Sequence, residues 1–115
     1  MNRIKLAITL VLLALPWFPA GAQPSPKEIT ITAKRFEYSP KEVHLKKGET
    51  VTLVLVSQDV THGMLCRGLK IDSDIPPGNP TRLTVTPQKE GDYTAICNHF
   101  CGSGHGNMKM KFVVE

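Results

Sequence analysis

No stretch of this chain beyond residue 22 repeats its apolar residues every three to four positions over the length of a helix. A bundle of amphipathic helices is thereby excluded. There is no internal repeat and no low-complexity tract, so a repeat array is excluded as well. Charge of one sign is scarce. Lys and Arg number 14 against 10 Asp and Glu, a formal net charge of +4. A balance this even gives no footprint for nucleic acid. Long hydrophobic runs are also missing. The only one, Leu6 to Leu15, is interrupted by Thr9 and falls short of the about 20 apolar residues that a membrane-spanning helix needs. Cysteine is sparse and odd in number, three in all, so a framework made only of disulfides would leave one over. Outside residues 97–108 no nucleophile stands beside a base, which argues against an enzyme.

What is present begins with an export signal. Arg3 and Lys5 precede the apolar run, Pro16 and Pro19 end it, and Ala20-Gly21-Ala22 has the small-x-small form of a signal peptidase site. Residues 1–22 are therefore read as a cleaved signal peptide, the alternative being a retained membrane anchor. Export implies the periplasm, an oxidising compartment. Without Arg3 and Lys5 the net charge falls to about +2. Residues 23–27 form a short lead, and residues 28–115 form one domain, large enough to support a core.

Within the domain, strands alternate with turns. Ile29, Ile31 and Ala33 alternate with Thr30, Thr32 and Lys34, the pattern of a half-buried strand. Phe36 to Pro40 bends out of it. Residues 42–45, 50–57, 62–66, 69–71, 82–86, 92–97 and 109–114 are read as further strands. Residues 50–57, rich in Val, Leu and Thr, are the strongest and predict a central position. Gly48 and the Ile75-Pro76-Pro77-Gly78 run mark turns. Met108, Met110, Phe112 and Val114 share one face of the last strand. Seven or eight short strands at this spacing predict an all-β sandwich.

The chemistry concentrates between the last two strands. Cys97-Asn98-His99-Phe100-Cys101-Gly102-Ser103-Gly104-His105-Gly106-Asn107-Met108 spaces two thiols, an imidazole and a thioether as Cys-x3-Cys-x3-His-x2-Met. Thiolate and thioether are soft ligands and imidazole is borderline, a mixture suited to copper. Zinc seldom uses Met. Loops at one edge of a sandwich converge, so a ligand from another loop can join, and His62 in Asp59-Val60-Thr61-His62-Gly63 is the candidate. Set against this are plainer roles: a Cys97–Cys101 disulfide, His62 as a strand-end histidine, Met108 as core. Met110 is read as core and His44 as structural or exposed. Cys66 lies on the His62 face of its strand and is read as a small buried hydrophobe, the alternative being an added copper ligand or a redox-active thiol.

Taken together, Ser57 to Gly63, the Ile75 to Gly78 turn, Gly91-Asp92-Tyr93 and the whole 97–108 loop make residues 28–115 resemble the copper domain of cytochrome c oxidase subunit II. The resemblance implies a cupredoxin-type Greek-key sandwich with a dinuclear copper centre, CuA. It implies that Cys97 and Cys101 bridge two coppers, that His62 binds one and His105 the other, that Met108 is a weak ligand, and that the His99 backbone carbonyl is the sixth. It further implies single-electron transfer with a c-type cytochrome or other redox protein as partner, and oxidase subunits where the chain belongs to an oxidase. Many subunit II sequences carry Glu at the position of His99, and that side chain helps bind a second metal at the subunit interface. The imidazole here removes the expectation of that metal. Subunit II also usually keeps a membrane helix, which this chain lacks once residues 1–22 are cleaved. Two other readings of the ligands stay open. One is a copper carrier or store. The other is a mononuclear blue-copper protein built on His62, Cys101, His105 and Met108, in which Cys97 has no role.

Overall fold

The computed structural model describes residues 11–16 and 25–115. Most of the leader read at 1–22, and the first two residues of the lead at 23–27, lie outside the described residues. Residues 11–16 are exposed and adopt neither helix nor strand. Among the described residues no helix is long and apolar enough to cross a membrane.

Nine strands build the domain: β1 (Lys27–Lys34), β2 (Glu37–Ser39), β3 (Glu42–Leu45), β4 (Val51–Ser57), β5 (His62–Cys66), β6 (Ile71–Ile75), β7 (Thr81–Val85), β8 (Gly91–Ile96) and β9 (Lys109–Val114). They form two sheets, ordered β2-β1-β4-β7 and β3-β9-β8-β5-β6. The all-β sandwich expected from the sequence is therefore present, with nine strands rather than seven or eight. The additional strand is β2, where Phe36 to Pro40 reads as a bend. Three residues carry too short an alternation to signal a strand, and they are held as one by pairing of Thr32, Ala33 and Lys34 with Ser39, Tyr38 and Glu37. The piece expected at 69–71 is also displaced. Arg67–Leu69 form a single 3-10 turn, Lys70 takes a left-handed conformation (φ 57°), and the strand starts at Ile71.

Burial follows the pleat. In β3 and β9 every second residue turns inward, so Val43, Leu45, Met110, Phe112 and Val114 enter the core. β4 lies between β1 and β7 and buries Val51, Leu53, Val54 and Leu55 nearly continuously, as a central strand should. Two pairings are parallel, β1 with β4 and β3 with β9. They join segments distant in sequence and place the β4–β5 turn, the β1–β2 turn and the β8–β9 loop at one end of the sandwich.

Candidate metal centre

The 97–108 loop is closed at its neck. Ile96 pairs with Lys109 in the β8–β9 ladder, and the Cys97 N–H donates to the Met108 carbonyl (3.2 Å). Cys97 and Met108 thus enter and leave the loop side by side, both buried. Beyond the neck, the His105 N–H donates to the Gly102 carbonyl (3.2 Å) and the Met108 N–H to the His105 carbonyl (3.2 Å), around a single 3-10 turn over His105–Asn107.

Inside this frame the sulfurs converge. Cys97 Sγ and Cys101 Sγ stand 3.7 Å apart as free thiols, so the disulfide alternative is not realised. Cys101 Sγ lies 3.7 Å from His105 Nδ1 and 3.9 Å from Met108 Sδ. The Cys97 thiol donates to the His99 carbonyl (3.1 Å). His62, Cys97 and Cys101 are all buried, and one ligand atom of each lies within 4.8 Å of the others. Burial pushes the Cys101 thiol up to about 11, helped by the neighbouring Cys97 sulfur and the Asp59 charge and opposed by the Arg35 guanidinium. Uncompensated thiolates would be unfavourable here, and a bound cation would supply the missing compensation.

His62 opens β5 with its side chain fully buried. Its Nε2 lies 2.6 Å from Asp59 Oδ1. A carboxylate can only accept, so Nε2 carries a proton, and in the neutral ring Nδ1 is then the nitrogen with the lone pair. That Nδ1 is the one buried side-chain nitrogen or oxygen among the described residues with no hydrogen-bond partner. Buried polar atoms are rarely left so, and an unpartnered nitrogen on a ring that brings a ligand atom within 4.8 Å of two thiols suits a metal ligand, with the carboxylate setting the ring. Asp59 is itself fixed. Its Oδ2 accepts from the Arg35 N–H (2.8 Å) and its Oδ1 from the Val60 N–H (2.6 Å). Burial pulls its pKa upward, but these donors and the His62 ring outweigh it and hold the carboxyl at about 2.

Every residue that the sequence puts forward as a ligand is therefore at one end of the sandwich, but not in one way. His62, Cys97, Cys101, His105 and Met108 direct side chains together. His99 directs its backbone carbonyl at Cys97, while its imidazole is exposed beside the Phe100 carbonyl (3.1 Å). Met110 is core. His44 is exposed between Glu115 and Glu42 in β3. Cys66 is buried in the core, its thiol pKa raised by that burial. Sequence reasoning misses the supporting residues. Asp59 sits within the motif that flags His62, yet its residue type alone assigns it no role. Tyr38 escapes notice together with β2. Its hydroxyl is buried, donates to the Gly63 carbonyl (2.5 Å), and lies close enough to Cys97 for that sulfur to add to the rise in its pKa that burial begins. Arg35, whose Nε donates to the Cys101 carbonyl (2.9 Å), leaves no signal in the sequence. A shallow recess of about 230 Å³ lies against Cys101, walled by Arg35, Val60, Thr61, His99, Phe100 and Gly102. Phe100 stands 75% exposed at its rim.

The chain is similar to known proteins over most of its length. The sequence model of the cupredoxin-like domain matches residues 5–114. Cytochrome c oxidase subunit 2 of Thermus thermophilus is 34% identical over 105 residues, covering 87% of this chain and 78% of that protein. A second subunit 2 of the same species is equally similar, and there the chain spans 62% of the relative's length. A nitrous-oxide reductase of Ralstonia nicotianae is 31% identical over 102 residues, but only 16% of its length is covered. In structure, the periplasmic domain of subunit II of cytochrome oxidase from Bradyrhizobium japonicum superposes with a TM-score of 0.71 at 16% identity, covering 77% of this chain and 83% of that one. Auracyanin A, a blue copper protein of Chloroflexus aurantiacus, superposes with a TM-score of 0.65 at 17% identity, covering 78% and 99%. With a matching family model over nearly the whole chain and a relative aligned over most of both lengths, the chain belongs to the cupredoxin-like family and is a homologue of cytochrome c oxidase subunit 2.

Proposed function

We propose that this chain is an exported electron-transfer protein whose Cys97–Met108 loop and His62 hold a dinuclear, CuA-type copper centre. The observation that carries the reading is fully buried His62, its Nδ1 without a hydrogen-bond partner, grouped within 4.8 Å with two buried free thiols that stand 3.7 Å apart. A donor set of two thiolates, two imidazoles and a thioether fits copper. Cys97 and Cys101 would bridge the metals, His62 and His105 would each bind one, and Met108 and the His99 carbonyl would complete the shell. When bound, such a centre spreads one added electron over two metals and two sulfurs, so that little charge moves at any atom and reorganisation is small. The chain's own residues do the rest. Asp59 holds the His62 tautomer, the loop neck fixes Cys97 beside Met108, and burial keeps water from the sulfurs.

No position in this ligand set is left open for a substrate, so the domain passes electrons and breaks no bonds. The shallow recess and exposed Phe100 offer a small face for brief docking of a c-type cytochrome or other redox protein, and small interfaces suit carriers that must release quickly. Homology to oxidase subunit 2 supports oxidase subunits as further partners. One structural neighbour, a subunit II of cytochrome c oxidase, was captured in a mixed disulfide with a thioredoxin-like protein. A reductant of that class would keep Cys97 and Cys101 as thiols in the periplasm until copper arrives.

A mononuclear site is the competing reading, favoured by the contacts of Cys101 with both His105 and Met108. Elemental analysis and EPR of copper-loaded protein separate the two. Two coppers per chain and the multi-line pattern of one electron shared equally by two nuclei are expected. One copper per chain, or a purple form that survives replacement of either cysteine by serine, overturns the dinuclear reading. Ready surrender of copper to a chelator through redox cycling would favour a copper carrier.

A further inference from the structure

We infer that Arg35 is a positioning residue that ties the two ligand-bearing segments of the centre into one unit. It occupies the β1–β2 turn and belongs to neither segment. Its backbone N–H donates to Asp59 Oδ2 (2.8 Å), and the other oxygen of that carboxylate holds His62 Nε2 (2.6 Å). Its side-chain Nε donates to the Cys101 carbonyl (2.9 Å). A continuous path of hydrogen bonds therefore runs from His62 through Asp59 and Arg35 to Cys101, joining positions far apart in the chain.

The next residue completes the clamp. The Phe36 ring fills the space over Gly102 and Gly104: a Cβ built on either glycine would lie 2.9 Å or 2.4 Å from it. Gly102-Ser103-Gly104 is the part of the loop with the most backbone freedom, and Gly102 has a φ of 139° that other residues avoid. Arg35 and Phe36 support this stretch from outside the loop. The guanidinium also brings a positive charge beside Cys101, its Nε 2.9 Å from that residue's carbonyl oxygen. A fixed positive charge near a copper centre disfavours its more oxidised state, so Arg35 should raise the reduction potential.

The inference rests on the copper reading above except in its metal-free arm. Arg35→Ala and Arg35→Lys are compared with wild type, with folding checked by circular dichroism. In metal-free protein, amide exchange at residues 101–104 is expected to quicken in both variants, because lysine cannot place a donor as Nε does. In copper-loaded protein, both should release copper to a chelator about tenfold faster or more, the range for residues that orient ligands. Arg35→Ala should also lower the reduction potential, whereas Arg35→Lys should keep it near wild type. Wild-type exchange and release in Arg35→Ala would overturn the inference. So would full rescue of exchange and release by Arg35→Lys, which would make charge alone the agent. A wild-type protein that binds no copper would sink the copper reading, and the exchange arm would still decide the role of Arg35.

Discussion

Cys66 shows what spacing alone can decide. It lies four residues along β5 from His62, a separation of about 13 Å at the rise of a strand, too far for both to meet one metal. Its burial and raised thiol pKa agree with a small core residue. Asp59 shows the opposite. Its role depends on where Oδ1 and Oδ2 point, and no spacing rule reveals that. Asp59→Asn should weaken copper binding about tenfold to a hundredfold, measured by competition with a chelator, since the carboxylate that orients the ring is lost. It should also change the acid stability of the metal-free protein. The folded pKa of Asp59, about 2, lies below its ordinary value of 3.8. Its contribution is thus present above pH 3.8 and lost as pH falls through 2. Unfolding curves of wild type and variant should differ near neutrality and converge toward pH 2; a constant gap would mean that the charge is not involved.

Among the elements, long alternating strands were readable and short ones set by partners were not. β9 announces itself by Met110, Phe112 and Val114, and β4 by its continuous apolar run. β2 exists because β1 pairs with it, and β6 starts where a 3-10 turn and the left-handed Lys70 redirect the chain. The packing of the 97–108 loop on β5 was equally hidden. Asn98 donates from Nδ2 to Asp72 Oδ1 in β6 (2.7 Å), which lays its side chain across Gly63 of β5. A Cβ at Gly63 would fall 1.9 Å from Asn98 Oδ1 and 3.2 Å from the His99 backbone nitrogen. Asn98 could escape only by giving up Asp72, and the His99 backbone would still be crowded. Gly63→Ala should therefore cost about 1–3 kcal/mol of stability, measured by denaturant unfolding. It should also shift the thiolate-to-copper absorption bands, because the displaced backbone carries the His99 carbonyl. Loss of stability with unchanged bands would mean that the loop does not lean on β5.

For the molecule as a whole, the sandwich was legible from strand count and turn spacing, but the order of strands in its sheets was not. The parallel pairings of β1 with β4 and β3 with β9 close over long stretches of chain, and local pattern carries no record of such contacts. The same pairings have a consequence for the N-terminus. β1 begins at Lys27 and runs against β4 over nearly its whole length, and every side chain of the centre and its supports lies between Arg35 and Met108. Among the described residues, the strands and the site draw on nothing before Lys27. A chain beginning at Gln23 should then fold with the same circular dichroism and bind the same copper complement as the longer form. In cells, mass spectrometry should find the protein starting at Gln23 in the soluble periplasmic fraction. Recovery of the uncleaved chain in the membrane fraction would show that the apolar run is kept as an anchor and that the domain works tethered to a membrane.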